Sequence, residues 1–163
     1  TKLGDFRFHP NRRLMITINN DLNPFAFLIT LTHEIAHAFV YKKHGRSASS
    51  HGREWKSMFK SLMLNFLAKD IFPRDILTSL SMHLIKPTST TSNDIDLSLI
   101  LREYDRKKEL TIIDIKKGDH FIFSNRSFVK GVRLRKRFRC KEIQTNRIYL
   151  FNPLVNITLL KTV

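Results

Sequence analysis

The chain reads as an α+β protein, a helical half followed by a small antiparallel β-rich half, and three patterns predict this. Apolar residues recur at helical spacing from Phe25 to Val40 and again from Pro73 to Leu84, where Ile76, Leu77, Leu80 and Leu84 form a stripe. From Thr111 onward the apolar runs become short, β-branched and aromatic, with Gly, Asn or Pro between them. Between the two regimes lies Pro87-Thr88-Ser89-Thr90-Thr91-Ser92-Asn93, a polar stretch of small residues that suits a linker. With 163 residues, 42% of them hydrophobic, the chain can bury a core as one domain or as two small packed units.

The first helix carries its own signals. Asn23 can cap it, Pro24 suits its first turn, and Gly45 can end it after Lys42, Lys43 and His44, whose charge suits the C-terminal dipole. Leu28, Leu31, Ile35 and Phe39 fall on one stripe, so they are the expected buried face. Within this helix stands His33-Glu34-Ile35-Ala36-His37. Side chains at i and i+4 leave a helix on one face, so both imidazoles can reach one ion at zinc-nitrogen distances of about 2.0 to 2.1 Å. Glu34, beside them and not ligating, is placed to act as general base on water, the role this spacing has in zinc hydrolases. A lone histidine on an apolar face is usually packing, whereas three constrained positions on a capped helix specify metal chemistry.

A catalytic zinc site takes three protein ligands and leaves one position for water. His44 lies seven residues past His37 and, on a continuous helix, about 10 Å further along the axis at about 1.5 Å per residue, which is too far. The metzincin pattern wants a glycine three residues after the second histidine, where this chain has Val40. After Gly45 a polar turn, Arg46 to Ser50, leads into His51-Gly52-Arg53-Glu54-Trp55-Lys56-Ser57-Met58-Phe59, which reads as the start of a second helix. A chain reversal there can return either His51 or Glu54 to the metal. Both satisfy zinc ligand chemistry; geometry leans towards His51 and leaves Glu54 open.

Pro73 to Leu84 is expected as a further helix, and Leu97 to Arg106 as a short one leading into the second half. Expected strands are Thr111 to Ile115, His120 to Phe123, Ser127 to Val132, Arg147 to Phe151 and Val155 to Leu159. Formal net charge is +15, and residues 126–141 hold Arg126, Lys130, Arg133, Arg135, Lys136, Arg137, Arg139 and Lys141 with no acid among them. Val132, Leu134, Phe138 and Cys140 alternate with the cations there, so a single strand would pack one face and present a cationic row spaced by about 6.6 to 6.8 Å. Such a row repels itself unless anions screen it, and nucleic-acid phosphate is the obvious polyanion. The expected nucleic-acid contacts are therefore Arg133, Arg135, Lys136, Arg137, Arg139 and Lys141. Phe121, Phe123, Phe128 and Tyr149 are candidates for stacking on bases, although phenylalanine in strands is more often core.

Several segments together resemble the SprT-like zinc metallopeptidases, a family that includes the DNA-dependent protease Spartan. They are Thr1-Lys2-Leu3-Gly4-Asp5-Phe6-Arg7, Ile16-Thr17-Ile18-Asn19, the His-Glu-Ile-Ala-His helix and His51-Gly52-Arg53-Glu54-Trp55-Lys56, in matching order over about residues 1 to 60. The resemblance implies a zincin-like metallopeptidase domain with Zn2+ held by His33, His37 and His51 and with Glu34 catalytic. It also implies a protein substrate on, or crosslinked to, DNA. Family members commonly have a helix and strand ahead of the Leu-Gly segment, so an N-terminal truncation is expected of a chain that begins at Thr1. Many also carry a four-cysteine zinc ribbon; this chain has one cysteine, Cys140, so its β-rich half is expected as a zinc-free remnant in the ribbon's place. The expected division is residues 1–86 for the metallopeptidase domain, 87–110 for linker and short helix, and 111–163 for the basic β-rich domain.

A single cysteine excludes an intramolecular disulfide, which fits a reducing compartment, and Cys140 itself is expected as a small buried hydrophobe. No signal peptide is recognisable, and no apolar run reaches the 18 or so residues of a membrane span, so a cytoplasmic protein is expected, nucleoid-associated or nuclear if DNA-bound. His9, His83 and His120 read as ordinary residues. Two other classes compete with the protease. A nucleic-acid-binding module with a structural or vestigial metal would hold zinc without proteolysis, and a protein-binding adaptor would lack DNA affinity even at low salt.

Overall fold

The computed structural model describes residues 3–8, 13–85, 87 and 94–160. Thr1 and Lys2 of the family-like segment, His9, and residues 88–93 of the polar stretch lie outside the described residues. The protein is α+β and divides into two compact units, Thr1–Arg106 and Lys107–Val163.

The first unit opens with a hairpin that the sequence pattern did not announce. Strands β1 (Gly4–Phe8) and β2 (Leu14–Ile18) pair antiparallel, from Gly4 opposite Ile18 to Phe8 opposite Leu14. Helix α1 (Pro24–His44) starts where its cap predicts: the Asn23 side-chain oxygen accepts from the Phe25 and Ala26 N–H groups at 3.1 and 2.9 Å. Gly45, at φ 59°, ends the helix by donating its N–H to the Tyr41 carbonyl at 2.7 Å. The buried stripe is Ile29, Ala36 and Val40, whereas Leu28, Leu31 and Ile35 are half-buried and Phe39 is 49% exposed. The stripe is thus rotated by about one position from the expected one, because α1 is apolar nearly all round and its spacing admits neighbouring stripes.

Helices α2 (Arg53–Leu64) and α3 (Arg74–Ile85) supply Trp55, Phe59, Met63, Ile76, Leu80 and Leu84 to the core. Helix α4 (Ile95–Arg102) is capped by Asp94, which accepts from the Leu97 N–H, and buries Leu97 and Leu101 in the same core. The Asn23 side chain also donates to the Leu101 carbonyl at 2.8 Å and to Asp105 at 2.6 Å, which ties the start of α1 to the end of α4. Beyond α4, the Tyr104 hydroxyl donates to Asp75 at 2.9 Å while its ring meets Phe25 edge-on. These contacts make α4 part of the helical unit, and the division falls after Arg106, inside the span of residues 87–110 expected as linker and short helix.

In the second unit the expected strand from Thr111 to Ile115 is replaced by a single bridge, Thr111 to Asn156, and a 3-10 turn over Ile112–Asp114. The cause is local: the Asp114 carboxylate accepts from both the Thr111 N–H and hydroxyl, at 2.8 and 2.7 Å, which curls the backbone. Strands β3 (His120–Phe123), β4 (Arg126–Arg133), β5 (Phe138–Glu142), β6 (Ile148–Phe151) and β7 (Thr158–Leu160) follow. They form one antiparallel sheet in the order β6-β5-β4-β3-β7. Phe121, Phe128, Phe138, Cys140 and Phe151 pack on its inner face with Ile112 and Ile115.

Candidate metal centre

His33 and His37 leave α1 one turn apart, as their spacing requires. His51 comes from the loop ahead of α2, one residue before that helix's N-cap, Gly52. The three Nε2 atoms form a small triangle, with His33 to His37 at 3.1 Å, His37 to His51 at 3.1 Å and His51 to His33 at 3.3 Å. Ligands about 2.0 to 2.1 Å from a tetrahedral zinc ion stand about 3.3 to 3.4 Å from one another, so this donor set fits the metal. Among the described residues, these three histidines are the group that can hold an ion. Glu54 is not in it. Helix α2 begins at Arg53, which puts Glu54 in the first turn with its carboxylate folded towards Gly52.

The electrostatics suit a cation. Burial first, then the neighbouring imidazoles, hold His33 down to about 3, and burial and His51 hold His37 down to about 4. Burial and then Lys56 hold His51 below its usual value. The rings are therefore neutral at pH 7 with lone pairs to offer. Ser50 Oγ lies 3.4 Å from His51 Nδ1, the far side of that ring.

Trp55 forms the floor. It is fully buried, its ring centroid lies 4.5, 5.3 and 4.8 Å from those of His33, His37 and His51, and its indole N–H points at the His33 carbonyl, 3.4 Å away. Phe59 stacks beneath it at 5.1 Å, and Phe6 of β1 stacks on His37 at 6.3 Å. Sequence reasoning gave neither Trp55 nor Phe6 a role. The available signal was that the chain's one tryptophan follows His51 by four residues and precedes Phe59 by four, which puts Trp55 and Phe59 on one face of the expected helix. Glu34 is 6% exposed and lies against Gly4 of β1. His83 is a core residue whose Nδ1 meets Asp94 at 2.7 Å.

The cationic run is not one strand. Arg133 ends β4, Arg135, Lys136 and Arg137 lie in the connecting turn, and Arg139 and Lys141 sit on β5. All six are exposed, but the even spacing expected of a single strand is lost. The Leu134 N–H donates to the Arg137 carbonyl at 2.7 Å, closing the turn, and Val132 and Leu134 are exposed instead of packed. On β5 the alternation survives, with Phe138, Cys140 and Glu142 inward. Two cations of the run are engaged within the protein. The Lys130 ammonium is buried, donates to the Ile115 carbonyl at 2.5 Å and lies 4.1 Å from the Phe138 ring centre. Arg126 pairs with Glu142 at 2.5 Å and covers Tyr149. Phe121 and Phe128 are buried and so withheld from base stacking; Phe123 is 37% exposed and Tyr149 partly so.

No helix among the described residues is long and apolar enough to cross a membrane. The SprT-like family model matches residues 11–75, a span that holds β2, α1, α2 and the start of α3. That match agrees with the resemblance carried by the motifs. No curated protein and no solved structure matches the chain.

Proposed function

From the SprT-like match over residues 11–75, we propose that this chain is a zinc-dependent endopeptidase with a zincin-like first unit, acting on DNA-bound or DNA-crosslinked proteins. The observation that carries the reading is the triangle of three imidazoles, with Glu34 next to His33 along α1. Family and triangle together support a metallopeptidase-type role with a bound metal; the endopeptidase activity, zinc as that metal and the DNA-linked substrate are the finer steps proposed.

His33, His37 and His51 would hold the ion, and the chemistry zinc supplies in such a site is Lewis acidity towards the scissile carbonyl and towards water, whose pKa falls towards about 7. Glu34 accepts the proton of the attacking water and passes it to the leaving amine, so water is added across the peptide bond with no net proton change at the carboxylate. Trp55 packs on all three imidazoles and Phe6 stacks on His37, which helps fix the ring planes. In the second unit the turn cations Arg135, Lys136 and Arg137, with Arg133, Arg139 and Lys141, are all exposed and available to phosphate. Residues 107–163 hold fourteen Lys and Arg against four acids, which supports a polyanionic partner.

The test is a protease assay on the zinc-loaded protein with a basic DNA-binding protein as substrate, run without DNA and with single- or double-stranded DNA. Cleavage that needs zinc and rises with DNA is the expected result. Zinc bound without cleavage under any condition would favour the nucleic-acid-binding module, and cleavage indifferent to DNA would remove the DNA-linked substrate.

A further inference from the structure

Gly4 lies in β1 with ordinary extended backbone; it is not among the residues with positive φ, so no turn requires a glycine there. What the position lacks is room. A Cβ on Gly4 would stand 2.7 Å from Thr30 Cγ2 and 3.0 Å from both Glu34 Cγ and Glu34 Oε1. Thr30 and Glu34 are one turn apart on α1, and both are buried, at 5% and 6% exposure.

We propose that Gly4 is a positioning residue for Glu34: the bare backbone of β1 is the wall against which the carboxylate is set. The proposal rests on the reading of Glu34 as general base. Of the two side chains in contact, that of Glu34 has more rotatable bonds and yields more readily. Thr30 is β-branched, and only two χ1 rotamers are open to it in a helix. Strand β1 is held by its register with β2, by the Asn19 N–H donating to the Leu3 carbonyl at 2.9 Å, and by the Phe6 and Phe8 rings, 5.9 and 5.1 Å from that of Tyr41. A side chain at position 4 presses on both Thr30 and Glu34, and of the two the longer Glu34 side chain, which carries the carboxylate, is the more readily displaced. The histidine nitrogens are not among the three atoms nearest that Cβ, and the triangle is expected to stay in place.

Gly4→Ala tests this together with Gly4→Ala/Thr30→Ser, which removes the closer contact at Thr30 Cγ2 and leaves the two at Glu34. Gly4→Ala is expected to keep full zinc by elemental analysis and an unchanged KM, while kcat falls at least about tenfold, within the roughly hundredfold that a 1 Å misplacement can cost. The double variant is expected to regain thermal stability without regaining kcat, and it carries the same comparison if the single variant folds poorly. A crystal structure of either variant is expected to show the Glu34 carboxylate displaced with the β1–β2 register intact, a readout independent of turnover. Wild-type kcat in Gly4→Ala, full recovery of kcat on adding Thr30→Ser, or an unmoved carboxylate beside a shifted β1 would each overturn the proposal. Glu34→Gln in parallel separates the two levels. If it is inactive while Gly4→Ala is fully active, only the positioning role fails; if it is active, the general-base reading fails and takes the positioning role with it.

Discussion

His51 owes its place to a loop and not to a helix, and this decides which residue joins the two helix histidines. Because it stands just before the N-cap of α2, its ring turns back to α1 while Glu54, inside the first turn, does not. The expected outcome is one zinc per chain, largely lost in His33→Ala, His37→Ala and His51→Ala and retained in Glu54→Gln, as read by elemental analysis. Glu34 offers a second test at the same scale. Glu34→Gln keeps the side-chain volume and removes the base, so zinc and fold should remain while peptidase activity drops at least about a hundredfold. Full activity in a metallated Glu34→Gln protein would remove the mechanism.

At the scale of elements, α2 does more than return the chain. Its Trp55 fills the space beneath three imidazoles and stacks on Phe59, so one helix face serves both core and site. Trp55→Ala should cost about 3 to 5 kcal/mol of stability by urea unfolding followed by circular dichroism, and should weaken zinc retention because the ligand rings lose their floor. In the second unit, β4 and β5 are joined by a pair that reports on pH. The Arg126 hydrogen bond, and then that of Thr145, hold the Glu142 carboxyl down to about 2, against an ordinary value of 4.5. A carboxylate with a depressed folded pKa contributes its stability in full above its unfolded value and loses it as the pH falls through the folded one. Protection of the β4 and β5 amides from hydrogen exchange should therefore decline between pH 4.5 and about 2. Glu142→Gln should be less protected at neutral pH and show a flatter decline; a curve identical to the wild type would exclude the pair as its source.

Across the whole molecule the chemistry is divided, with the histidine triangle in the helical unit and the densest cationic run in the sheet unit. If that run meets phosphate, each contact displaces condensed counterions and binding must weaken steeply with salt. Arg135, Lys136 and Arg137 share the β4–β5 turn, so changing all three to Gln removes neighbouring contacts without touching the inward face of either strand. The slope of log affinity against log salt should fall by roughly two to three units on double-stranded DNA, at about 0.9 per phosphate contact, and by somewhat less on single strands. Zinc content should not change. An unaltered affinity and slope in the folded triple variant would leave the run as a solvated or protein-binding surface.

What the sequence determined by itself was local. The limits of α1 follow from Asn23, Pro24 and Gly45, and the shared face of His33 and His37 follows from helical pitch, because each depends only on near neighbours in the chain. The span of β3 was legible for the same reason, between Gly118 and the Ser124-Asn125 turn. Tertiary structure decided whatever depends on which surfaces meet. It chose Ile29, Ala36 and Val40 over Phe39 as the buried stripe of a helix that is apolar almost all round. It drew α4 into the helical core, bent the cationic run into a hairpin, and used Asp114 to curl a β-branched run that propensity reads as strand. Above all it brought β1 and the loop before α2 against one helix, so that Gly4 meets Glu34 and His51 meets His33 and His37. Those contacts join residues far apart in sequence, and no periodicity encodes them, because they exist only once the elements have packed.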